Sequence, residues 1–278
     1  AIRRPFLLRL DRRSAILNLL GDPMSDMPNF STDLSGQTAF ITGTTSGLGY
    51  RFAQVLAACG ANVAIAGRRI ERLETLAEEL RSTGATVLPV PLDVTDTDAL
   101  FASVDQVEKE LGPVQILVNN AGKPDARLAL NMDPAFVDEM VATNLTSLFH
   151  LASEVTRRLR EAELPGRIVN IASGAAFSSG VGSSWYAITK SAVVRMTEML
   201  ALEFARYDVN VNCIAPGAFE SEMMDGMLER MGDITAGFPR KRLGKPSQLD
   251  GTLLYLVSPS SDFVSGATIR VHDAQGAG

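Results

Sequence analysis

The side chains best suited to proton chemistry are a tyrosine and a lysine four residues apart. Tyr186 and Lys190 stand in the segment YAITK, which opens a helical pattern running to Arg206. Residues four apart share a helix face, so we expect the Lys190 ammonium to lower the pKa of the Tyr186 phenol. The tyrosine could then exchange protons nearer neutral pH. Ser173, a little upstream, offers a hydroxyl within plausible reach.

Alternating elements would bring these groups together. Short β-branched apolar runs alternate with longer stretches of helical period, which predicts a parallel sheet with helices on both faces. The fold class is therefore α/β, one doubly wound domain, with the ligand site at the carboxyl ends of the strands. The predicted strands are Thr38 to Thr42, Asn62 to Ala66, Thr86 to Leu92, Gln115 to Val118, Arg167 to Ala172, Val209 to Ile214 and Thr268 to His272.

Glycines punctuate this pattern. Gly60, Gly84 and Gly112 each directly precede a strand and are predicted to end the preceding helix in a left-handed conformation. After the first strand comes TGTTSGLG, in which glycines would let the backbone approach a pyrophosphate over a helix N-terminus. Such a turn also needs glycine for packing, but its place between strand and helix favours dinucleotide binding. The predicted contacts are Gly43, Thr45, Ser46, Gly47, Leu48 and Gly49.

The end of the second strand bears on the choice of cofactor. An acid there would bind a ribose 2′-hydroxyl, whereas an arginine would pair with a 2′-phosphate. Gly67 takes the place of the acid, and Arg68 and Arg69 come directly after it. We therefore expect NADP(H) to be preferred, with NAD(H) possible, and Arg68 to be the first contact and Arg69 the second. The alternative is two solvated arginines at the start of an exposed helix.

Two further strand ends fit a bound dinucleotide. In the segment LDV, Asp93 could accept from the adenine amino group, or it could cap the next helix, and Val94 stands beside it. Asn119, Asn120, Ala121 and Gly122, in the segment NNAG, bring two amides and a small, open backbone beside the expected pyrophosphate and ribose.

Composition excludes several classes of protein. The chain has 278 residues, of which 46% are hydrophobic and 21% charged, and its net charge is −6, so neither disorder nor a broad nucleic-acid surface is expected. No apolar run is long enough for a membrane span, so we expect no membrane partner. Cys59 and Cys213 form no disulfide framework and indicate a reducing, cytoplasmic setting. No ligand cluster surrounds His150 or His272, so no metal is expected.

The N-terminal segment differs in charge from the rest of the chain. Residues 1 to 13 hold five arginines and one acid, Asp11. An organelle presequence or a signal n-region is one interpretation, and an upstream or artificial extension is the favoured one. We expect residues 1–30 to lie outside the fold and residues 31–278 to form the NAD(P)-binding catalytic domain.

Taken together, these segments resemble the short-chain dehydrogenase/reductase family. TGTTSGLG, LDV, NNAG, TNLTS, Ser173, YAITK and the turn Ala215-Pro216-Gly217 occur in the family's order and spacing across residues 34–273. The resemblance implies a seven-stranded Rossmann-like sheet, a homodimer or homotetramer, and a catalytic tetrad of Asn144, Ser173, Tyr186 and Lys190.

The resemblance also assigns roles. Tyr186 would be the general acid in reduction and the general base in oxidation, and Ser173 would hold the substrate oxygen. Lys190 would bind the nicotinamide ribose, and Asn144 would help to place a relay water. Pro216, Gly217 and Ser221 would border the nicotinamide and its carboxamide, whereas Ile188 and Thr189 would only pack the helix.

Three functions fit these features. The first is an NADP-linked oxidoreductase that interconverts a ketone and a secondary alcohol. The second is a 3-oxoacyl-carrier-protein reductase, which is disfavoured because Leu202 stands where carrier-dependent members often have a basic residue. The third is a non-catalytic NADP-binding regulator, which is disfavoured because Tyr186 and Lys190 are both present.

The substrate side is less specific. Residues 218–242 are rich in methionine and glycine and could form a flexible lid over an apolar pocket, or a short amphipathic helix packed by its methionines. Phe177, Val181 and Trp185 are expected to add apolar wall near Tyr186.

Overall fold

The computed structural model describes residues 31–124 and 127–275. Residues 1–30 lie outside this range, so the expectation that they form a separate extension remains a prediction. No helix in the described part of the chain is both long and apolar enough to cross a membrane.

Within the described residues, seven strands form one sheet in the order β3-β2-β1-β4-β5-β6-β7, and all neighbouring strands are parallel. This confirms the predicted α/β, doubly wound fold. The order reverses between β1 and β4, which opens a crevice at the carboxyl ends of those strands. The strands are β1 Thr38–Thr42, β2 Asn62–Gly67, β3 Val87–Pro91, β4 Val114–Asn119, β5 Gly166–Ile171, β6 Val209–Pro216 and β7 Thr268–Val271.

Successive strand residues point to opposite sides of the sheet, so both faces carry apolar side chains. Helices cover both faces. Ile41 of β1 belongs to the core under α1, α2 and α8, whereas its neighbour Phe40 belongs to the core under α3, α5 and α6. The helices are α1 Gly47–Ala58, α2 Ile70–Ser82, α3 Thr97–Leu111, α4 Pro134–Val141, α5 Ser147–Ala162, α6 Ser184–Phe204, α7 Glu222–Met231 and α8 Asp250–Val257.

The predicted glycine helix ends are confirmed. Gly60, Gly84 and Gly112 have φ values of 91°, 91° and 89°, in the left-handed region that glycine enters without a steric penalty. Each lies within two residues of the end of a helix, before the chain enters β2, β3 or β4. These turns fix where the strands begin, and so they fix which residues reach the carboxyl edge.

Candidate active site

Ser173, Tyr186 and Lys190 meet just beyond the end of β5. Ser173 follows β5, and Tyr186 stands in the first turn of α6. The Ser173 hydroxyl lies close enough to the Tyr186 phenol to influence its ionisation. One turn further along α6, Lys190 Nζ lies 5.8 Å from the Tyr186 ring centroid and donates to the Ile171 carbonyl at 2.8 Å. The structure thus brings together the three groups that the sequence singled out.

The electrostatics of this corner differ from the prediction. Burial raises the pKa of Tyr186, and the nearby Ser173 hydroxyl opposes that shift. Burial also lowers the pKa of Lys190 to about 8. The expectation of a Tyr186 pKa nearer neutral is therefore wrong, because removal from water disfavours the phenolate and outweighs the opposing effects.

Asn144 is held in place by the polypeptide backbone. It is fully buried in the π-helical turn Ala142–Thr146, which joins α4 to α5. Its Oδ1 accepts from Lys123 N at 2.7 Å, and its Nδ2 donates to Lys123 O at 3.0 Å. A Cβ placed on Gly122 would lie 3.6 Å from Asn144 Oδ1 and 3.4 Å from Lys190 Nζ. The small glycine therefore separates two members of the predicted tetrad.

Sequence reasoning missed the side chains that position Asn144. Its Nδ2 also contacts Thr189 Oγ1 at 3.3 Å and Met140 Sδ at 2.9 Å. Thr189 Oγ1 in turn donates to the Tyr186 carbonyl at 2.8 Å, so this hydroxyl connects Asn144 to the first turns of α6. Thr189 therefore helps to position Asn144 as well as packing the helix. Its place inside YAITK is the sequence feature that could have indicated this role.

The glycine-rich loop is braced from β4. Gly43 and Gly47 have φ values of 71° and 59°, and a Cβ on Gly49 would lie only 2.3 Å from the Gly43 carbonyl oxygen. Asn120 Nδ2 donates to the carbonyls of Thr42 and Gly43, at 2.9 and 3.0 Å. The backbone N–H groups of Asn120 and Ala121 both donate to Thr42 Oγ1, at 3.1 and 3.0 Å. The Asn120 side chain therefore shapes the loop.

The N-terminus of α1 is suited to an anion. Its N-cap residue, Ser46, makes no side-chain capping hydrogen bond, and the first turn carries no acid. By contrast, Asp96, Asp133 and Ser221 cap α3, α4 and α7. Backbone N–H groups without a side-chain acceptor, together with the helix dipole, could hold a pyrophosphate. Leu48 packs against the core, which leaves its N–H as the group that could face a ligand.

The arginine that lies on this loop is Arg69. Its Nε and Nη2 donate to Thr45 Oγ1 at 3.0 and 2.7 Å, and Nη2 also donates to Ser46 Oγ at 3.0 Å. Arg72, one turn along α2, has its Nη1 3.5 Å from the Thr45 carbonyl. The Arg68 side chain is 73% exposed and lies 3.9 Å from Asp93. The geometry thus favours Arg69 over Arg68 as the arginine that contacts the glycine loop. It adds Arg72, which could have been found from the sequence because it lies three residues after Arg69 on the same helix face.

No room is left for an acid at the end of β2. A Cβ on Gly67 would lie 2.8 Å from Thr45 Cγ2. Thr45 is itself held against Arg69, so an aspartate or glutamate at position 67 would have to push the loop aside.

Asp93 does not cap a helix. Asp96 caps α3, accepting from Ala99 N at 3.0 Å. Asp93 Oδ1 instead accepts from the backbone N and hydroxyl of Thr95, at 3.0 and 2.8 Å, and these bonds lower the pKa of its carboxyl group. Of its two predicted roles, the capping role is wrong and the adenine contact remains a prediction. Val94 packs against the core under α3.

The segment that follows β6 lies close to the glycine loop. Pro216 is the last residue of β6, and a Cβ on Gly217 would lie 2.7 Å from His272 Cβ. Ser221 caps α7 by accepting from Met224 N at 3.2 Å. A Cβ on Gly47 would lie 3.2 Å from Ser221 Cβ, so α7 begins directly above the loop.

A cavity of about 940 Å³ is lined by residues 175–179 and by Ala187 and Ile188, which follow Ser173 and Tyr186 in the chain, but neither Ser173 nor Tyr186 lines it. Phe177 lines it, and the Arg270 guanidinium lies 4.8 Å from the centroid of the Phe177 ring. Trp185 instead ties α6 to α4 by donating to the Val137 carbonyl at 3.1 Å, and Val181 is exposed. Within the predicted lid, Met223 is exposed and Met224 and Met227 are half-buried on α7. The wall lined by described residues combines small apolar side chains with serines and Gln275.

In the part of the chain that the structure describes, no group of three or more histidine, cysteine, aspartate or glutamate side chains could hold a metal ion. Cys59 and Cys213 are free thiols. His150 lies between the rings of Phe101 and Phe149, with centroid distances of 6.1 and 5.9 Å.

Known proteins share both this sequence pattern and this fold. The family model described as "short chain dehydrogenase" matches residues 37–231. Nodulation protein G of Rhizobium sp. is 36% identical over 241 residues, which cover 86% of this chain and 97% of the relative. The 5-keto-D-gluconate 5-reductase of Escherichia coli is 34% identical over 245 residues, which cover 86% of this chain and 94% of the relative.

A solved structure extends the comparison. A gluconate 5-dehydrogenase from Burkholderia cenocepacia, crystallised in complex with NADP and tartrate, superposes with a TM-score of 0.83 at 31% identity. The match covers 89% of this chain and 98% of that one.

Proposed function

The chain belongs to the short-chain dehydrogenase/reductase family, and from that premise we propose that it is an NADP(H)-dependent oxidoreductase in which Tyr186 is the general acid and base. The reaction interconverts a ketone and a secondary alcohol. The observation that carries the proposal is the placement of Ser173 close to Tyr186, one helical turn from Lys190, at the edge where the glycine loop also lies.

The proposed mechanism assigns one task to each polar group. When bound, the nicotinamide supplies or accepts the hydride. Ser173 and Tyr186 hydrogen-bond to the carbonyl oxygen and stabilise the charge that develops on it during reduction. Tyr186 then donates its proton to that oxygen, and its raised pKa keeps it protonated at neutral pH. Lys190 binds the nicotinamide ribose and stabilises the resulting phenolate, and Asn144 orders a water that returns the proton.

The cofactor preference rests on the loop and its arginines. The pyrophosphate would sit over the uncapped N-terminus of α1, and a 2′-phosphate would pair with Arg69 and Arg72. The NADP bound to the gluconate 5-dehydrogenase supports the same choice, with NAD(H) as the weaker alternative.

The substrate is a small ketone or its alcohol. The gluconate-active relatives make 5-keto-D-gluconate the first compound to test. Simple aliphatic ketones come next because the cavity carries Phe177 and Ile188 alongside its serines. The names of these relatives give no support to the narrower 3-oxoacyl-carrier-protein activity.

Replacing the proposed acid tests the function. Tyr186→Phe should reduce kcat for ketone reduction by about 10²- to 10⁴-fold while leaving the Kd for NADPH unchanged, because only the proton donor is removed. Tyr207→Phe, which keeps its ring beside Arg206, is the matched control and should retain full activity. Wild-type turnover in Tyr186→Phe would refute the role of the phenol.

A further inference from the structure

A single carboxylate bridges the two arginines of the glycine loop. Glu222, the first residue of α7, places its Oε2 2.9 Å from Arg69 Nη1, and its Oε1 contacts Arg72 Nη1. Arg69 and Arg72 belong to the start of α2, about 150 residues earlier in the chain. The contact therefore links the start of the segment beyond β6 to the cofactor half of the sheet.

The same arginines face the loop with their remaining donors. Arg69 binds the hydroxyls of Thr45 and Ser46, and Arg72 reaches the Thr45 carbonyl. The proposed function assigns these two guanidinium groups to the 2′-phosphate of NADP(H). Glu222 thus holds an anionic group on the cations that the phosphate needs.

The packing of α7 keeps the carboxylate there. Ser221 lies against Gly47, and its hydroxyl caps the helix that begins at Glu222. Both arginines lower the pKa of Glu222, so the carboxylate is charged at neutral pH. The side chains of Glu222, Arg69 and Arg72 are 52%, 42% and 48% exposed, which makes these exchangeable surface ion pairs.

We propose that Glu222 is a cofactor-selectivity residue: its carboxylate competes with the 2′-phosphate for Arg69 and Arg72 and weakens the binding of NADP(H) but not of NAD(H). A phosphate dianion carries more charge and more acceptor oxygens than a carboxylate, so it displaces Glu222 at a cost in affinity. Displacement also removes the ion pairs that fasten α7 to α2. The inference rests on the proposed 2′-phosphate site.

The test uses fragments of the cofactor on the full chain. Titration calorimetry with adenosine 2′,5′-bisphosphate should give a Kd about 2- to 10-fold lower for Glu222→Gln than for the wild type, as expected for the loss of two exposed ion pairs. The Kd for adenosine 5′-monophosphate, which has no 2′-phosphate, should not change. Glu229→Gln, with the same charge change near the other end of α7, is the matched control and should bind both fragments like the wild type.

A second set of variants separates this inference from the site on which it rests. Arg69→Ala and Arg72→Ala should each weaken binding of the bisphosphate, and Glu222→Gln should bring no gain once both arginines are removed. If neither arginine variant alters the bisphosphate Kd, the 2′-phosphate assignment fails. If they weaken binding but Glu222→Gln leaves it unchanged or weaker, the assignment stands and the competition is overturned. Thermal unfolding of each variant verifies that the fold is intact.

Discussion

At the scale of single residues, burial favours the neutral form of both titrating groups of the candidate active site. It raises the pKa of Tyr186 and lowers that of Lys190, so each group is driven toward its neutral form. The tyrosine therefore stays protonated well above neutral pH, while the lysine titrates near pH 8. Cys213, which interacts electrostatically with Lys190, is neutral there because burial raises its pKa to about 11.

This difference predicts the pH dependence of ketone reduction. Lys190 is charged below its pKa of about 8 and neutral above it, so kcat/KM should fall as pH rises through 8, by about tenfold per pH unit. Tyr186 cannot account for that decrease, which forms the alkaline limb of the pH profile, because its pKa is raised above 10.0. Initial rates measured between pH 6 and about 10 provide the profile.

Arginine variants identify the titrating group. In an active Lys190→Arg variant the limb should move to higher pH, since the guanidinium keeps its proton throughout this range. Lys109→Arg, on the exposed surface of α3, should leave the profile unchanged. A limb that stays near pH 8 in Lys190→Arg would show that another group controls it.

Which single residues could be predicted depends on how local their chemistry is. Ser173, Tyr186 and Lys190 could be found because strand end, helix start and four-residue spacing are all written in the sequence. The order of Arg68 and Arg69 could not, because the direction of each side chain depends on distant partners, Glu222 and Asp93.

At the scale of elements, the turn from β1 into α1 is limited by backbone contact. Gly49→Ala would place a Cβ 2.3 Å from the Gly43 carbonyl and 2.4 Å from Asn120 Nδ2. The loop would have to open, so we expect a loss of about 1 to 3 kcal/mol in the free energy of unfolding, together with weaker binding of NADPH. Urea unfolding and a fluorescence titration measure the two effects.

An unhindered glycine provides the control for that substitution. Gly251 lies in α8, and a Cβ there would meet nothing within 4 Å. Gly251→Ala should therefore raise the free energy of unfolding by about 0.4 to 1 kcal/mol, because alanine has less chain entropy to lose. Equal stability changes in the two variants would contradict the steric account of the loop.

The elements themselves were largely predictable, and the exception is informative. Alternation located all seven strands, with β1 matching residue for residue and the others within two residues at each end. The helical pattern of residues 133–160 predicts one continuous helix, whereas the structure has a π-helical turn between α4 and α5. That turn coincides with the clamp between Asn144 and Lys123, a long-range contact that periodicity does not reveal.

At the scale of the whole molecule, apolar side chains are exposed on two long helices. Phe149 of α5 and Met199 and Leu202 of α6 are 45%, 42% and 75% exposed. Exposed apolar groups on neighbouring helices are typical of subunit contacts. They support the prediction of a homodimer or homotetramer built through α5 and α6.

A charge on that surface tests the assembly. Leu202→Asp should shift the molar mass measured by light scattering toward that of the monomer, because an unpaired carboxylate would be buried in the contact. Leu130→Asp, at a 98% exposed position on neither helix, should keep the wild-type mass. A wild-type protein that is monomeric at all concentrations tested would refute the prediction.

The reversal of strand order between β1 and β4 has a consequence for how such a protein can diversify. Residues proposed for the cofactor come mainly from the β1 to β3 side, whereas the 940 Å³ cavity is lined from segments that follow β5, β6 and β7. Mutations that reshape the cavity wall can thus accumulate without altering the dinucleotide cradle. A directed-evolution library for new carbonyl compounds should accordingly be confined to residues 175–179 and 237–239, which leaves the inherited redox machinery as a constant.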